Sequence, residues 1–523
     1  MRLALGFAVA SILVVAASCT DQTNNSGSTP PPPVDDGGVE TGPDGSTVEG
    51  DPSKGILIEG TVLGESGPYE GQVLTLPSGL IGCAEPGKAC EADPAAAGVA
   101  IVRVDGVIAP GLIDTHNHIL FDIFDDSDWL PKKKYDFHDD WTSNTNEPRY
   151  TVMVDVKQCL EDASQGKPVW CPPKFDGAGN LKCEMEKWGE MKAIVAGTTA
   201  VVGLAGVALP CYASLARTID TQFNDLDTDK IQTAAITPSK TTADGVCKNY
   251  TDGKTAAYLI HVGEGKTGDP KSLAEFTDLG TITTTPGCLY APQTAITHGS
   301  SFGAAEFATM KTKGMKLTWS PASNIALYGT TTNIPLALDN GLLVSLAPDW
   351  SMGGSQNMLD EIRFAKKYSD DNWGGRLKSA DIVAMATKNA AVVLGLSDKI
   401  GTIKKGMLAD LLVVHGKRSA PYDAVVEASA KDVVLTMVGG KALYGDVELR
   451  AVGAGGASCE TFDTCGSPKF LCVAEATPGD KLNQTYAQIK DVLEGAMKDI
   501  DVARPAAIGG NFSPVAAVVA CPK

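Results

Sequence analysis

At 523 residues the chain is long enough to bury a full core and to hold more than one structural unit. Its 43% apolar and 20% charged content is that of a folded globular protein rather than a disordered or fibrous one. A formal net charge of −19 argues against nucleic acid as a partner, because binding phosphates needs a basic patch, and it favours solubility.

Met1-Arg2 is a thin positive start, and Leu3 to Val15 is an apolar run too short to span a bilayer comfortably. The run closes on Ala16-Ala17-Ser18-Cys19, small residues before a cysteine. Residues 1–18 resemble a bacterial lipoprotein signal peptide. That resemblance implies a lipidated Cys19, a membrane anchor through it, and an extracytoplasmic place in the cell envelope. An ordinary cleaved secretory signal is the alternative. Residues 19–54 are rich in Asp, Gly, Ser, Thr and Pro, and are expected to form a disordered tether. Apart from Cys19 there are twelve cysteines, an even number that reads as disulfides in an oxidising compartment. Connectivity does not follow from sequence; Cys83–Cys90 and Cys459–Cys465 are candidate local closures.

From Gly55 to Val107 short β-rich pieces alternate with Gly and Pro clusters, as in a small sheet with turns. Val107 to Ile113 is apolar, broken at Pro110-Gly111, and runs into His116-Asn117-His118. Residues i and i+2 of an extended segment point to the same side, so both imidazoles can face one metal ion. A polar, aromatic loop follows from Phe121 to Arg149, long enough for a lid or substrate loop. Its Lys132-Lys133-Lys134 run reads as a solvated turn. Between residues 150 and 395 helical and strand-like pieces alternate. Glu184 to Val195 is expected to be an amphipathic helix, and Asp381 to Leu394 a helix with Ser379 as a candidate N-cap. This alternation predicts an α/β fold with a parallel (β/α) barrel over 109–399. After Gly401 the pattern returns to β-type pieces. Residues 453–523 are a cysteine-containing extension, with a helix expected near Gln484 to Ile500.

His261 and His298 end predicted strands, and Asp349 follows the apolar strand Leu342 to Ala347. In a parallel barrel such residues converge on one mouth. His116, His118, His261 and Asp349 would offer three imidazoles and a carboxylate to one divalent ion, Zn²⁺ first and Fe²⁺ as the alternative. Such an ion lowers the pKa of a bound water from 15.7 to about 7. Glu264 could stand beside it and carry protons. Gly263-Glu264-Gly265-Lys266-Thr267-Gly268 fits a dinucleotide fingerprint only in spacing, since Asp269-Pro270 comes too soon for the glycine turn to open into a helix.

These stretches together resemble the amidohydrolase superfamily, in its cytosine deaminase, triazine hydrolase and chlorohydrolase-like branch. They are Ala109 to His118, His261-Val262-Gly263-Glu264, Thr297-His298-Gly299, Ser320-Pro321-Ala322-Ser323-Asn324, Leu346-Ala347-Pro348-Asp349, and Ala386 through Leu411. The resemblance implies a distorted (β/α)8 TIM-like barrel with a mononuclear divalent metal. Segments 55–108 and 400–452 would form a small β-sandwich beside it. It also implies metal ligation by His116, His118, His261 and Asp349, and catalytic roles for three residues. Glu264 would be the proton donor to the substrate nitrogen, His298 would orient water or polarise the substrate, and Asp349 would act as general base. His138 and His415 match nothing and read as structural or surface residues. Ser323-Asn324 reads as a structural turn, and Lys230 or Lys240 as weak candidates for a bridging ligand. Pro348 and Trp350 flank Asp349 where the family differs. The implied activity is a metal-dependent hydrolase of non-peptide C–N bonds, deaminating a small amino-substituted heterocycle through metal-bound hydroxide. Hydrolysis of a cyclic or linear amide, or a non-catalytic surface binding lipoprotein, are the alternatives. The oligomeric state is left open.

Overall fold

The computed structural model describes residues 40–41, 47–163, 166–204, 209–222, 224, 226, 230–476, 479, 481–505 and 510–521. The signal peptide, Cys19 and residues 20–39 of the expected tether lie outside the described residues.

Eight parallel strands follow one another along the chain. They are β1 (Leu112–Asp114), β2 (Thr198–Val201), β3 (Arg217–Thr218), β4 (Ile231–Ala234), β5 (Ala257–Val262), β6 (Thr294–His298), β7 (Lys316–Trp319) and β8 (Val344–Leu346). They pair in two parallel ladders, β1-β2-β3 and β4 to β8, and from β4 onward a described helix stands between successive strands. A single parallel bridge, Asn117 with Asp349, joins the segments that leave β1 and β8.

Beside them runs one continuous sheet whose strands come from both ends of the chain. Leu411–His415 pairs antiparallel with the end of Val99–Pro110, Leu411 opposite Pro110 and His415 opposite Gly106. Val99–Pro110 continues after one residue into β1, and Gly111 is the joint. A Cβ at Gly111 would come within 2.3 Å of the Thr199 hydroxyl, so only glycine lets the chain pass here. The Gly111 amide donates to the Asp410 carbonyl at 2.8 Å. The Asp410 carboxylate accepts from the Gly439 amide and pairs with Arg217 of β3, both partners buried. Asp410 thus fastens the sheet to the parallel strands.

Several elements differ from expectation. The sheet starts before residue 55: Thr47–Glu49 pairs with residues 101–103, so the tether ends earlier than 54. Strands Glu460–Thr464 and Ser467–Leu471 of the extension join the same sheet through Lys441–Asp446. The helix Lys182–Ile194 is not amphipathic but buried on every side, Lys187, Lys192, Glu186 and Glu190 included. Its charges are matched internally, as where Glu190 accepts from the Ala213 and Leu215 amides. The helix expected over 381–394 is two, Ser379–Met385 and Lys388–Leu394. The break frees the Ala386 carbonyl to accept the Ile113 amide of β1 at 2.8 Å. Lys378, not Ser379, occupies the N-cap there, and the Ser379 hydroxyl donates to Asp423 instead.

All twelve cysteines form disulfides: Cys83–Cys90, Cys159–Cys171, Cys183–Cys211, Cys247–Cys288, Cys459–Cys472 and Cys465–Cys521. The Cys459–Cys465 closure is therefore wrong. The two stand near opposite ends of a strand, and the paired strand Ser467–Leu471 brings Cys472 back beside Cys459. The last described segment returns across the molecule. Arg149 donates to the Gly510 and Asn511 carbonyls and lies 3.5 Å from the Phe512 ring centre. The Trp188 indole donates to Ala516, whose amide donates to Ile123.

Replacing Asp410 by Ala strips a buried guanidinium of its carboxylate, which is expected to cost about 3–5 kcal/mol. Urea unfolding checks this; a loss under about 1 kcal/mol would show that the joint does not depend on the pair.

Candidate active site

The ends of β1, β5, β6 and β8 deliver the polar side chains. The Asp349 amide donates to the His116 carbonyl at 3.1 Å, and the His118 amide donates to the Asp349 carbonyl at 2.8 Å. This exchange sets the H-x-H pair against Asp349. One Asp349 oxygen, Oδ1, lies 2.8 Å from His116 Nε2 and 3.5 Å from His118 Nε2. Candidate ligand atoms of His116, His118, His261 and Asp349 all lie within 4.8 Å of one another, as do those of His261, Glu264 and His298. His298 and Asp349 have φ of 69° and 74°, a left-handed backbone that costs non-glycine residues strain. At both positions the chain turns sharply as it leaves its strand.

Each group is held from behind. Asp114 accepts from the His116 amide and from Asn117 Nδ2, both at 3.0 Å. The Ala234 carbonyl lies 3.1 Å from His261 Nδ1, so Nδ1 carries the hydrogen and Nε2 presents its lone pair. Residues 321–328 form a helix, not the turn expected around Ser323-Asn324, and three of its side chains serve the site. The Ser323 hydroxyl donates to Asp349 Oδ2. Asn324 Nδ2 lies 3.1 Å from His298 Nδ1; with that nitrogen accepting, Nε2 is the donor. Tyr328 donates to Glu264 Oε1 at 2.6 Å. Glu264 Oε2 lies 3.8 Å from His298 Nε2.

Burial dominates the electrostatics. It lowers His116 to about 3, helped by facing His261, and His118 to about 3, helped by His116. His261 falls to about 4 through burial and His298. Burial also pushes the Glu264 carboxyl up. For Asp349 burial pushes up too, but the facing imidazoles, His116 foremost, outweigh it and hold the carboxyl well below its usual range. Neutral imidazoles around an ionised carboxylate are the donor set a divalent ion needs. The residues fit such an ion.

The Phe121–Arg149 loop brings Trp129 and Trp141 against Trp350, with ring centres 5.7 and 5.5 Å away, while Trp350 lies 5.8 Å from His118. Glu147 organises this loop, accepting from the Trp129 indole, the Lys132 amide and the Tyr135 hydroxyl. His138 pairs with Glu275 at 2.5 Å and, despite burial, is raised to about 9 by that bond. His415 pairs with Asp446. Lys134 donates to the Ala326 carbonyl and Lys133 lies over Tyr135. Lys240 is exposed and donates to Thr284, away from these ligands. Sequence reasoning missed Tyr328 and Trp141; the i, i+4 spacing of Asn324 and Tyr328 was the available signal.

In metal-free protein, stability is expected to fall as pH drops from about 6.5 towards about 4, because the unfolded chain takes up protons that the buried imidazoles refuse. For fully buried His116 the slope is about 1.4 kcal/mol per pH unit. Urea midpoints across this range, with His116→Gln as the shallower control, check it; identical slopes would contradict it.

Residues 215–443 match the amidohydrolase family. The imidazolonepropionase of Thermoplasma acidophilum is 30% identical over 171 residues, 32% of this chain and 39% of the relative. A 5-methylthioadenosine/S-adenosylhomocysteine deaminase of Desulforamulus reducens is 24% identical over 383 residues, 67% of this chain and 84% of the relative. Against most of the curated relatives the chain spans about two fifths of their length. A zinc-bound crystal structure of an adenosine deaminase from Xanthomonas campestris superposes with a TM-score of 0.54 at 16% identity. It covers 74% of this chain and 92% of that one, so the two share a fold.

Proposed function

We infer that this member of the amidohydrolase superfamily is a metal-dependent hydrolase that deaminates an amino-substituted heterocycle. The observation that carries the reading is the joint placement, in one buried site, of the four-residue donor set beside Glu264 and His298, whose Oε2 and Nε2 stand 3.8 Å apart. The naming of a similar chain as a deaminase supports it.

In this reading His116, His118, His261 and Asp349 hold one zinc ion, and the eight parallel strands close into a barrel around them. Bound there, a divalent ion would supply a water acidified enough to attack at neutral pH. Asp349 takes one proton from the attacking water through the carboxylate that Ser323 orients. Glu264 gives a proton to the ring nitrogen. His298 steadies the incoming oxygen through Nε2–H. Collapse breaks the exocyclic C–N bond: the amino group takes the proton held on Asp349 and leaves as ammonia, the remaining hydroxyl proton returns to Glu264, and the ring keeps the oxygen as a carbonyl beside its protonated nitrogen. Trp350, Trp129 and Trp141 supply an apolar wall that excludes bulk water.

Anchoring through a lipidated Cys19 outside the cytoplasm belongs to the same proposal. The sequence of residues 1–19 and six disulfides support it.

The full chain is expected to purify with about one equivalent of zinc and to release ammonia from a panel of heterocyclic amines. Glu264→Gln should lower kcat by about 10²–10⁴-fold while retaining metal, and His116→Ala should lose both. Metal below a tenth of an equivalent, or ammonia release that survives both substitutions, would overturn the reading.

A further inference from the structure

We infer that Tyr328 and Trp141 are positioning residues for the Glu264 carboxylate, a role that rests on the deaminase reading of that residue. The Trp141 indole donates to the Tyr328 hydroxyl at 2.9 Å, and Tyr328 donates onward to Glu264 Oε1 at 2.6 Å. All three side chains are buried. Because the phenol spends its single hydrogen on Oε1, that oxygen is fixed as an acceptor. Oε2, the oxygen facing His298, is left to load and release the proton. The indole has only a hydrogen to give, so it fixes the direction of the chain: Trp141 to Tyr328 to Glu264.

The chain also couples the carboxylate to the covering loop. Trp141 ends the short helix His138–Trp141 of that loop. Its ring packs on Trp129, Tyr150 and Trp350. The same loop is stitched to both neighbours of the site. The Tyr135 amide donates to the Leu327 carbonyl and the Lys266 amide to the Asp136 carbonyl, while Phe137 bridges to Gly265. Glu264 is therefore set in its working orientation when the loop is docked.

The test is made on the full, metal-loaded chain with Tyr328→Phe, Trp141→Phe and the double variant. Tyr328→Phe is expected to lower kcat about tenfold or more, with KM and metal content within about twofold of wild type. Trp141→Phe should lower kcat less. The double variant should match Tyr328→Phe alone, because both act through one bond. Indole ¹⁵N spectra give a readout independent of turnover: the Trp141 Nε1–H signal should move in Tyr328→Phe, and by less in Glu264→Gln. An active wild type whose kcat is unchanged by Tyr328→Phe would overturn the positioning role. So would additive losses in the double variant. A wild type inactive on every heterocyclic amine, with the Trp141 shift still present, would instead overturn the deaminase premise and the role with it.

Discussion

The molecule is arranged around one electrostatic demand. A buried, ionised carboxylate, Asp349, is faced by His116, His118 and His298, whose imidazoles burial holds near neutrality. Such a cluster is costly without a cation, and each of its members must be held against relaxation. The backbone answers with an exchange of hydrogen bonds between the segments leaving β1 and β8, and with left-handed turns at His298 and Asp349. The helix 321–328 answers with Ser323, Asn324 and Tyr328, one contact each to Asp349, His298 and Glu264. Asp410, far from the mouth, does the same work for the scaffold by locking Arg217 and Gly111 in place.

What could be read from the sequence follows from what is local. His116 and His118 are legible because a strand's period of two places them together, and the later site residues because each ends an apolar run. The Pro110-Gly111 break is legible as a joint, but its cause, the Thr199 hydroxyl pressed against Gly111, lies on another strand. The burial of Lys182–Ile194 was hidden for the same reason. Six charged residues in thirteen look like a solvent face until partners such as Thr218, the Ala213 and Leu215 amides and Gln356 come up to meet them. The Cys459 pairing and the break at Ala386 likewise depend on partners distant in the chain.

The closing segment around Phe512 bears on how the mouth comes to exist. Arg149 meets the Gly510 carbonyl across 361 residues of chain, and Trp188 meets Ala516 across 328. Contacts so remote in sequence carry a loop-closure entropy cost that the packing of the intervening chain must offset. The aromatic wall beside the histidines is thus braced by residues outside both the parallel strands and the sheet. A fragment ending at residue 452 would retain every candidate ligand and Tyr328 yet lack the brace on the loop that carries Trp141. The extension joins the parallel strands and the loop that covers them by topology, although every candidate ligand lies before residue 453.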